Sequence, residues 1–548
     1  MKIAFRELET TGDNIQVSFD NKNTFENYDK NTALTDGISV PNECTDLSNI
    51  VVKTDELESS NLTYEISADL FSQGNLSSKL DTRIKDLKIP DGITSITNSI
   101  FESCKNLTSI NIPNSVTSIE YGAFYCCSSL TSINIPEGVT SIGDNAFADC
   151  RGLTSINIPS SIASIGDNAF YGCSSLTSIV VSDNNNNYSS DEYALYSKDK
   201  TKIIYLYNQS IDTFIIPNSV TFIEHSAFYC CKNLTSINIP SSVTSIGYSA
   251  FTNCNGLASI NIPNGITSIE TSAFMGCKNL TSITIPDGVT SIGTSAFAGC
   301  NKLMSINIPD SVTSIGVMAF SGCSSLTGIE IPNSVTSMGA GAFSNCASLT
   351  SINIPGSVTS IESGTFYNCG GLTSIEIPSS VTSIGSGVFE DCHGLTFIKI
   401  PGSVASIGSD VFKSCNNLQS IIVSSNFDQT LLEGKIPSNA QIIVQAIITQ
   451  ADLDKGNSYL REFTQNNPVC KIADGITSIG EEAFYSCSSL TSIEIPNSVT
   501  SIGEGAFSYC ESLTNINYRG TEEQWNNITK GDNWNLYCPA VVNYNYVG

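Results

Sequence analysis

This 548-residue chain is poor in the residues that most often carry chemistry: it has two histidines, two tryptophans and five methionines. Only 14% of it is charged, with 25 basic residues against 52 acidic ones and a net charge of −27. A surface of that sign repels nucleic acid and anionic lipid, so neither is expected as a partner. No stretch of 18 apolar residues occurs, which excludes a membrane-spanning helix of ordinary length and so membrane insertion. No C-x-x-C pair is present, and with only two histidines a tetrahedral zinc site has no spacing to support it. G-x-S-x-G, H-E-x-x-H and phosphate-loop motifs are missing too. His225 and His393 fall at variable, outward positions, and the neighbour of His393, Cys392, should face inward, which argues against a thiol catalyst. The Asn-rich "SDNNNNYSSDE" at 182–192 lacks the calcium-loop pattern. The expectation is therefore no enzyme, no catalytic residue, no metal and no cofactor. "MKIAFRELETTGD" contains no apolar run of signal-peptide length, so a secreted location has no visible leader behind it.

Cysteine, by contrast, is abundant and periodic. Fifteen of the twenty cysteines stand 23 residues apart in three series, 104–173, 231–415 and 487–510. Proline keeps the same interval from Pro90 to Pro159 and from Pro217 to Pro401, and the recurrent phenylalanine counts fifteen units. A fixed period of this length is the signature of a solenoid.

Each unit reads C-x-x-L-T-S-I-x-I-P-x-x-V-T-S-I-G-x-x-A-F-x-x. In the unit that starts at Cys127, Ile133-Asn134-Ile135 has the two-residue rhythm of a strand. Pro136 ends that strand because it offers no N–H to a ladder. Val139 to Ile142 reads as a second short strand, Gly143 as a permissive turn, and Ala146-Phe147 as the closing turn. Leu130, Ile133, Cys127, Cys150, Phe124 and Phe147 are then expected in the core. One unit buries too little apolar surface to offset the entropy of ordering its own backbone, so the units must stack. The predicted fold is a β-rich solenoid of about fifteen 23-residue coils with short strands, capped at both ends.

The pattern L-T-S-I-N-I-P followed by V-T-S-I-G-x-x-A-F-x-x-C, over about residues 85–518 apart from two interruptions, resembles the BspA-like, treponemal-type 23-residue leucine-rich repeats of bacterial and protist surface proteins. "YRGTEEQWNNITKGDNW" (518–534) is similar to the end segment that follows such repeats in gut-dwelling bacteria. The resemblance implies a right-handed leucine-rich-repeat coil that binds other macromolecules at a cell surface or outside the cell.

The slot cysteines could be a disulfide ladder or a column of free thiols. Equivalent Cβ atoms on neighbouring coils would lie ~4.8 Å apart, wider than the 3.5–4.5 Å a disulfide needs, which favours free, buried thiols. Cys126 and Cys230 sit at outward positions and are the more reactive candidates; Cys44, Cys470 and Cys538 are left undecided.

Along the chain, residues 1–84 lack the repeat and suggest a β-rich capping or attachment module, with a strand pair in "IQVSFDNKNTFENYD". Four repeats fill 85–181, and a Tyr-rich hairpin is expected at 182–213 around Ser-Lys-Asp-Lys. Nine repeats run over 214–421, an irregular insert with helical spacing of Leu453, Leu460 and Phe463 over 422–470, and two repeats over 471–517. Residues 518–548 form a C-terminal cap, in which Trp525 and Trp534 should seal the last coil.

The residue between the two isoleucines should face solvent, giving a polar row that is mostly Asn and changes charge at Glu330, Glu376 and Lys399. Tyr193, Tyr196, Tyr205 and Tyr207 of the hairpin add aromatic contact candidates, since rigid rings are favoured at hot spots. The functional expectation is a non-enzymatic adhesion or interaction protein with a protein or glycan partner. The alternative is a structural or receptor-binding component of a phage virion or other assembly, attached through residues 1–84 and then virion-associated or cytoplasmic.

Overall fold

The computed structural model describes residues 84–546 throughout, together with residue 71, residues 74–77 and the backbone of six strands before them. The chain divides into two compact units, 1–288 and 289–548. Cys44 lies outside the described residues, as does most of the expected N-terminal module.

Within each unit the chain is a parallel β-solenoid whose turns are 23 residues long. Strands pair with their counterparts one repeat away: Ser118–Ile119 lies between Ser95–Ile96 and Ser141–Ile142, and Ser132–Ile133 pairs with Ser155–Ile156. The closing turn makes its own ladder along the axis. Phe124 N–H donates to Ala146 O at 2.8 Å, and Phe147 N–H to Ala169 O at 2.9 Å. Threonine adds a third ladder, with Thr131 and Thr154 hydroxyls donating to the carbonyl 23 residues earlier, both at 3.2 Å. Backbone groups are thus satisfied by ladders between coils together with turns inside each coil, such as Val139 N–H to Pro136 O at 3.0 Å.

The same translation stacks like side chains. Phe124 and Phe147 are parallel to within 2° with centroids 5.3 Å apart, and Phe320 and Phe343 repeat this at 5.5 Å. Leu130, Ile133, Cys127 and Cys150 are buried with them. Every slot cysteine is free and buried. The thiols are more than small apolar fillers: Cys127 Sγ donates to Phe101 O at 3.0 Å and Cys150 Sγ to Phe124 O at 3.1 Å. Phe124 O also accepts the Cys127 N–H, so both of its lone pairs are used. Burial pushes the Cys173 thiol up to about 12.

The expected role of Gly143 needs correction. Its φ is not positive; the left-handed residues are Asn145 and Asp149, two and six positions later. The glycine answers instead to close approach, because a Cβ on it would lie 2.7 Å from the Glu120 and Tyr121 backbone one coil back.

The ends are covered. In the first unit the strand Leu62–Glu65 pairs parallel with Ile84–Lys88, which pairs with Ser109–Asn111. Lys2–Phe5 adds antiparallel beyond it, and Asn14–Ser18 pairs antiparallel with Glu26–Asp29 in a separate sheet. Phe71 packs edge-on against Phe101 at 6.0 Å. In the second unit Phe507 N–H donates to Trp534 O at 2.6 Å, and the Trp534 ring meets Phe507 edge-on at 6.2 Å and Trp525 at 5.8 Å.

Two interruptions break the regularity. In the first unit Ala194–Ser197 and Lys202–Leu206 form an antiparallel hairpin with Tyr188–Ser190 beside it, and Lys202–Ile203 then pairs parallel with Phe222–Ile223. In the second unit the strand Gln441–Ile448 gives its first half to Ser420–Ser424 and its second half to Val469–Ile472. Helices Gln450–Leu453 and Asn457–Asn466 follow it, with Leu460 buried.

Candidate functional site: two breaks in a regular coil

The hairpin tyrosines are not the exposed contacts expected from sequence. Tyr196, Tyr205 and Tyr207 are buried and Tyr193 is half-buried. The hairpin lies over an interrupted core, so its rings replace missing members of the phenylalanine column. Tyr205 sits 6.3 Å from Phe170, and Tyr193 touches Phe214, which leads on to Phe228 at 5.8 Å. The Tyr207 hydroxyl bonds Asp191 O.

Of the polar row, Asn111, Asn134, Asn157 and Glu330 are exposed, whereas Lys399 and Glu494 are buried and Glu376 is nearly so. This corrects the outward placement of Lys399 and, in part, of Glu376, and it buries Glu494 beside them. The cause is the second interruption. Ile422 pairs with Ile443, but Lys471 pairs with Ile447, so the row slips along the strand Gln441–Ile448 and the sheet folds there. Phe397–Ile400 and Ser492–Ile495 have three strands between them, a separation of about 19 Å in a flat sheet. Yet Lys399 Nζ reaches Glu494 Oε2 at 2.6 Å and Glu376 Oε1 at 2.9 Å.

Around this clasp Gln445 Nε2 donates to Glu494 at 3.3 Å, Lys471 lies 3.3 Å from its other oxygen, and the Tyr546 ring lies 4.8 Å from Lys399 Nζ. Burial pushes Glu376 up to about 6 against the pull of Lys399. Burial would raise Glu494 as well, but Lys399 and Lys471 together hold it below the usual range. The fold encloses a cavity of about 480 Å³. Lys399 and Glu376 form part of its lining, Ser492, Asn515 and Asn543 supply hydroxyl and amide groups, and Phe397, 41% exposed, supplies an apolar one. Sequence alone could not pair Lys399 with Glu494 across 95 residues. The available signal was the opposite sign of charges in a row otherwise built of Asn.

The first break encloses a cavity of about 470 Å³ between Gly166–Tyr171 and Glu224–Ser226, with the hairpin as its third wall. Ligand atoms of Asp167, Glu224 and His225 lie within 4.8 Å of one another. Two of these three are already engaged: Lys202 Nζ lies 3.0 Å from Glu224, and His225 Nδ1 accepts the Tyr248 N–H at 3.1 Å. That donor set fits a metal poorly.

The Cys392–His393 pair is no dyad. The buried Cys392 thiol donates to Phe366 O at 3.1 Å and burial raises its pKa, while the exposed His393 ring meets Ser414 O. Cys470 is buried with its Sγ on Asn467 O, whereas Cys126, Cys230 and Cys538 are half-buried.

Parallel strands in 23-residue register around columns of Leu, Ile, Phe and Cys define a leucine-rich-repeat solenoid. The chain belongs to the BspA-type leucine-rich-repeat family: the model of the BspA type leucine rich repeat region (6 copies) matches residues 77–202, 203–327, 315–431 and 458–531. Among solved structures, a leucine-rich repeat protein from Bacteroides ovatus is 25% identical over 74% of this chain and 97% of its own, with a TM-score of 0.40. One from Eubacterium ventriosum is 28% identical over 62% and 92%, with a TM-score of 0.46. A leucine-rich cell surface protein from Faecalibacterium prausnitzii is 29% identical over 73% and 90%, with a TM-score of 0.29. No curated protein matches the chain. Repeat solenoids of this kind offer extended surfaces for interaction with other macromolecules. Among the described residues no helix is long and apolar enough to cross a membrane.

Proposed function

We propose that this protein is a non-enzymatic adhesion protein of the cell surface or extracellular space, which presents its polar sheet to a protein or glycan partner. The observation that carries this reading is the folded sheet of the second unit. Here Lys399, Glu376, Asn515, Asn543 and Phe397 converge on one concave pocket. A pocket that mixes hydroxyl and amide groups with apolar Phe397, Ile422 and Ile443 suits an amphipathic protruding group of a partner.

The test is binding of labelled intact protein to neighbouring cells before and after separate protease and glycosidase treatment. Loss after one treatment names the partner class, and the Phe397→Ala/Asn543→Ala variant should bind at least about tenfold more weakly, the loss of one hot spot. Full-strength binding by that variant removes the pocket from the reading. Failure to bind any cell type, or recovery of the protein only inside producing cells, defeats adhesion itself.

A further inference from the structure

We infer that the cavity at the first coil break is a binding subsite for a neutral pyranose sugar. This extends to the first unit the interaction role proposed above but stands on a different pocket.

The argument starts from a broken ladder. In a regular coil three turn N–H groups donate to the next coil, as Asn145, Phe147 and Asp149 do to Asp167, Ala169 and Tyr171 at 2.9, 2.9 and 2.6 Å. One coil later the same positions are Asn168, Phe170 and Gly172. The hairpin takes over the far side instead, with Leu206 N–H donating to Ala227 O. Among the described residues no group accepts from the N–H of Asn168 or Phe170, and both residues line the cavity. The Asn168 side chain adds an acceptor. Its Nδ2 donates to the Tyr248 hydroxyl at 3.1 Å, but its buried Oδ1 has no partner. Asn168 holds a left-handed backbone, φ 56°, and its bond to Tyr248 orients the side-chain amide.

A ligand for this wall must accept from two backbone N–H groups and donate to an amide oxygen and to the Asp167 carboxylate. A hydroxyl does both. Charge narrows the class further. Lys202 and Glu224 neutralise each other, and Asp167 remains, so an anion is disfavoured. With Nδ1 accepting the Tyr248 N–H, His225 has its other ring nitrogen left as a donor. Tyr171, Tyr188 and Tyr205 are also among the lining residues, and their apolar atoms suit the C–H groups of a sugar. At about 470 Å³ the cavity lies within the usual range of small-ligand sites, about 300–1,000 Å³.

The experiment titrates the intact chain with methyl pyranosides of glucose, galactose, mannose and N-acetylglucosamine, followed by calorimetry and saturation-transfer NMR. At least one should saturate with a dissociation constant on the order of 1 mM, with the sugar C–H protons receiving saturation. Asp167→Ala/Asn168→Gly keeps the left-handed backbone available and should weaken that binding at least about tenfold while thermal unfolding of the protein stays cooperative. Phe397→Ala, in the other unit, should leave it unchanged. The inference is overturned if no pyranoside saturates, if the double variant binds as well as the parent, or if EDTA abolishes binding. Because Phe397→Ala tests only the second-unit pocket, failure of the adhesion reading and failure of this one are told apart.

Discussion

Replacing Lys399 with methionine would keep most of the side-chain volume and remove the one charge that joins two ends of a folded sheet. Glu494 is 1% exposed and Lys399 7%, so the pair is effectively out of water. Removing one partner of such a pair strands the other, a loss of about 3–5 kcal/mol. Lys471 remains 3.3 Å from Glu494, which places the expectation near the lower end, about 3 kcal/mol at pH 7. Both tryptophans, Trp525 and Trp534, lie in the second unit, so fluorescence during urea unfolding reports on that unit alone. The pH dependence supplies a second check. Glu376 binds its proton more readily in the folded state, near pH 6 against an ordinary 4.5, so its ionised form opposes folding above pH 6 by about 2 kcal/mol and is relieved as pH falls toward 4.5. Glu494 has the opposite sign: its contribution is present above its ordinary value and is lost on further acidification. Without Lys399 both carboxylates are harder to ionise, so the deficit of the variant should shrink between pH 7 and pH 5. A loss under about 1 kcal/mol at pH 7, the value of a surface pair, would refute the buried clasp.

Gly503→Ala should destabilise by about 1–3 kcal/mol, because its Cβ would meet Glu481 N at 2.4 Å, whereas Gly480→Ala at the same repeat position meets nothing within 4 Å and should be neutral. Thermal unfolding of the two variants side by side measures the difference. Phe320→Ala empties a fully buried ring stacked at 5.4 and 5.5 Å on its neighbours and should cost about 3–5 kcal/mol in denaturant titration. Iodoacetamide at pH 8 should alkylate half-buried Cys126 and Cys230 in the native protein while Cys173, raised to about 12 by burial, reacts only after unfolding, as peptide mass spectrometry will show.

The periodicity made the coil legible in the sequence: Ile133, Phe147 and Cys150 are buried because a 23-residue translation forces like onto like. The thiol-to-carbonyl bonds were not legible, since nothing in a Cys-to-Cys interval says that Phe101 O needs a second donor. Gly143 was recognised as necessary for the wrong reason, because close approach and positive φ leave the same letter in a sequence. The hairpin tyrosines misled for a related cause. Local alternation sets which face of a strand a ring occupies, but the missing coil beneath decides whether that face is wet, and so Tyr205 became core. Lys399 and Glu494 were visible only as charges in a polar row. Their contact depends on a fold in the sheet made by a segment with no repeat of its own.

Pairing in which Ser118 meets Ser141, and Ser141 meets Ser164, makes each coil interchangeable with the next. Within either unit a whole coil could therefore be added or removed in register, each step changing the length of that stack by ~4.8 Å. A shift of any other length needs an irregular segment to bring the columns back into line, as the two interruptions do.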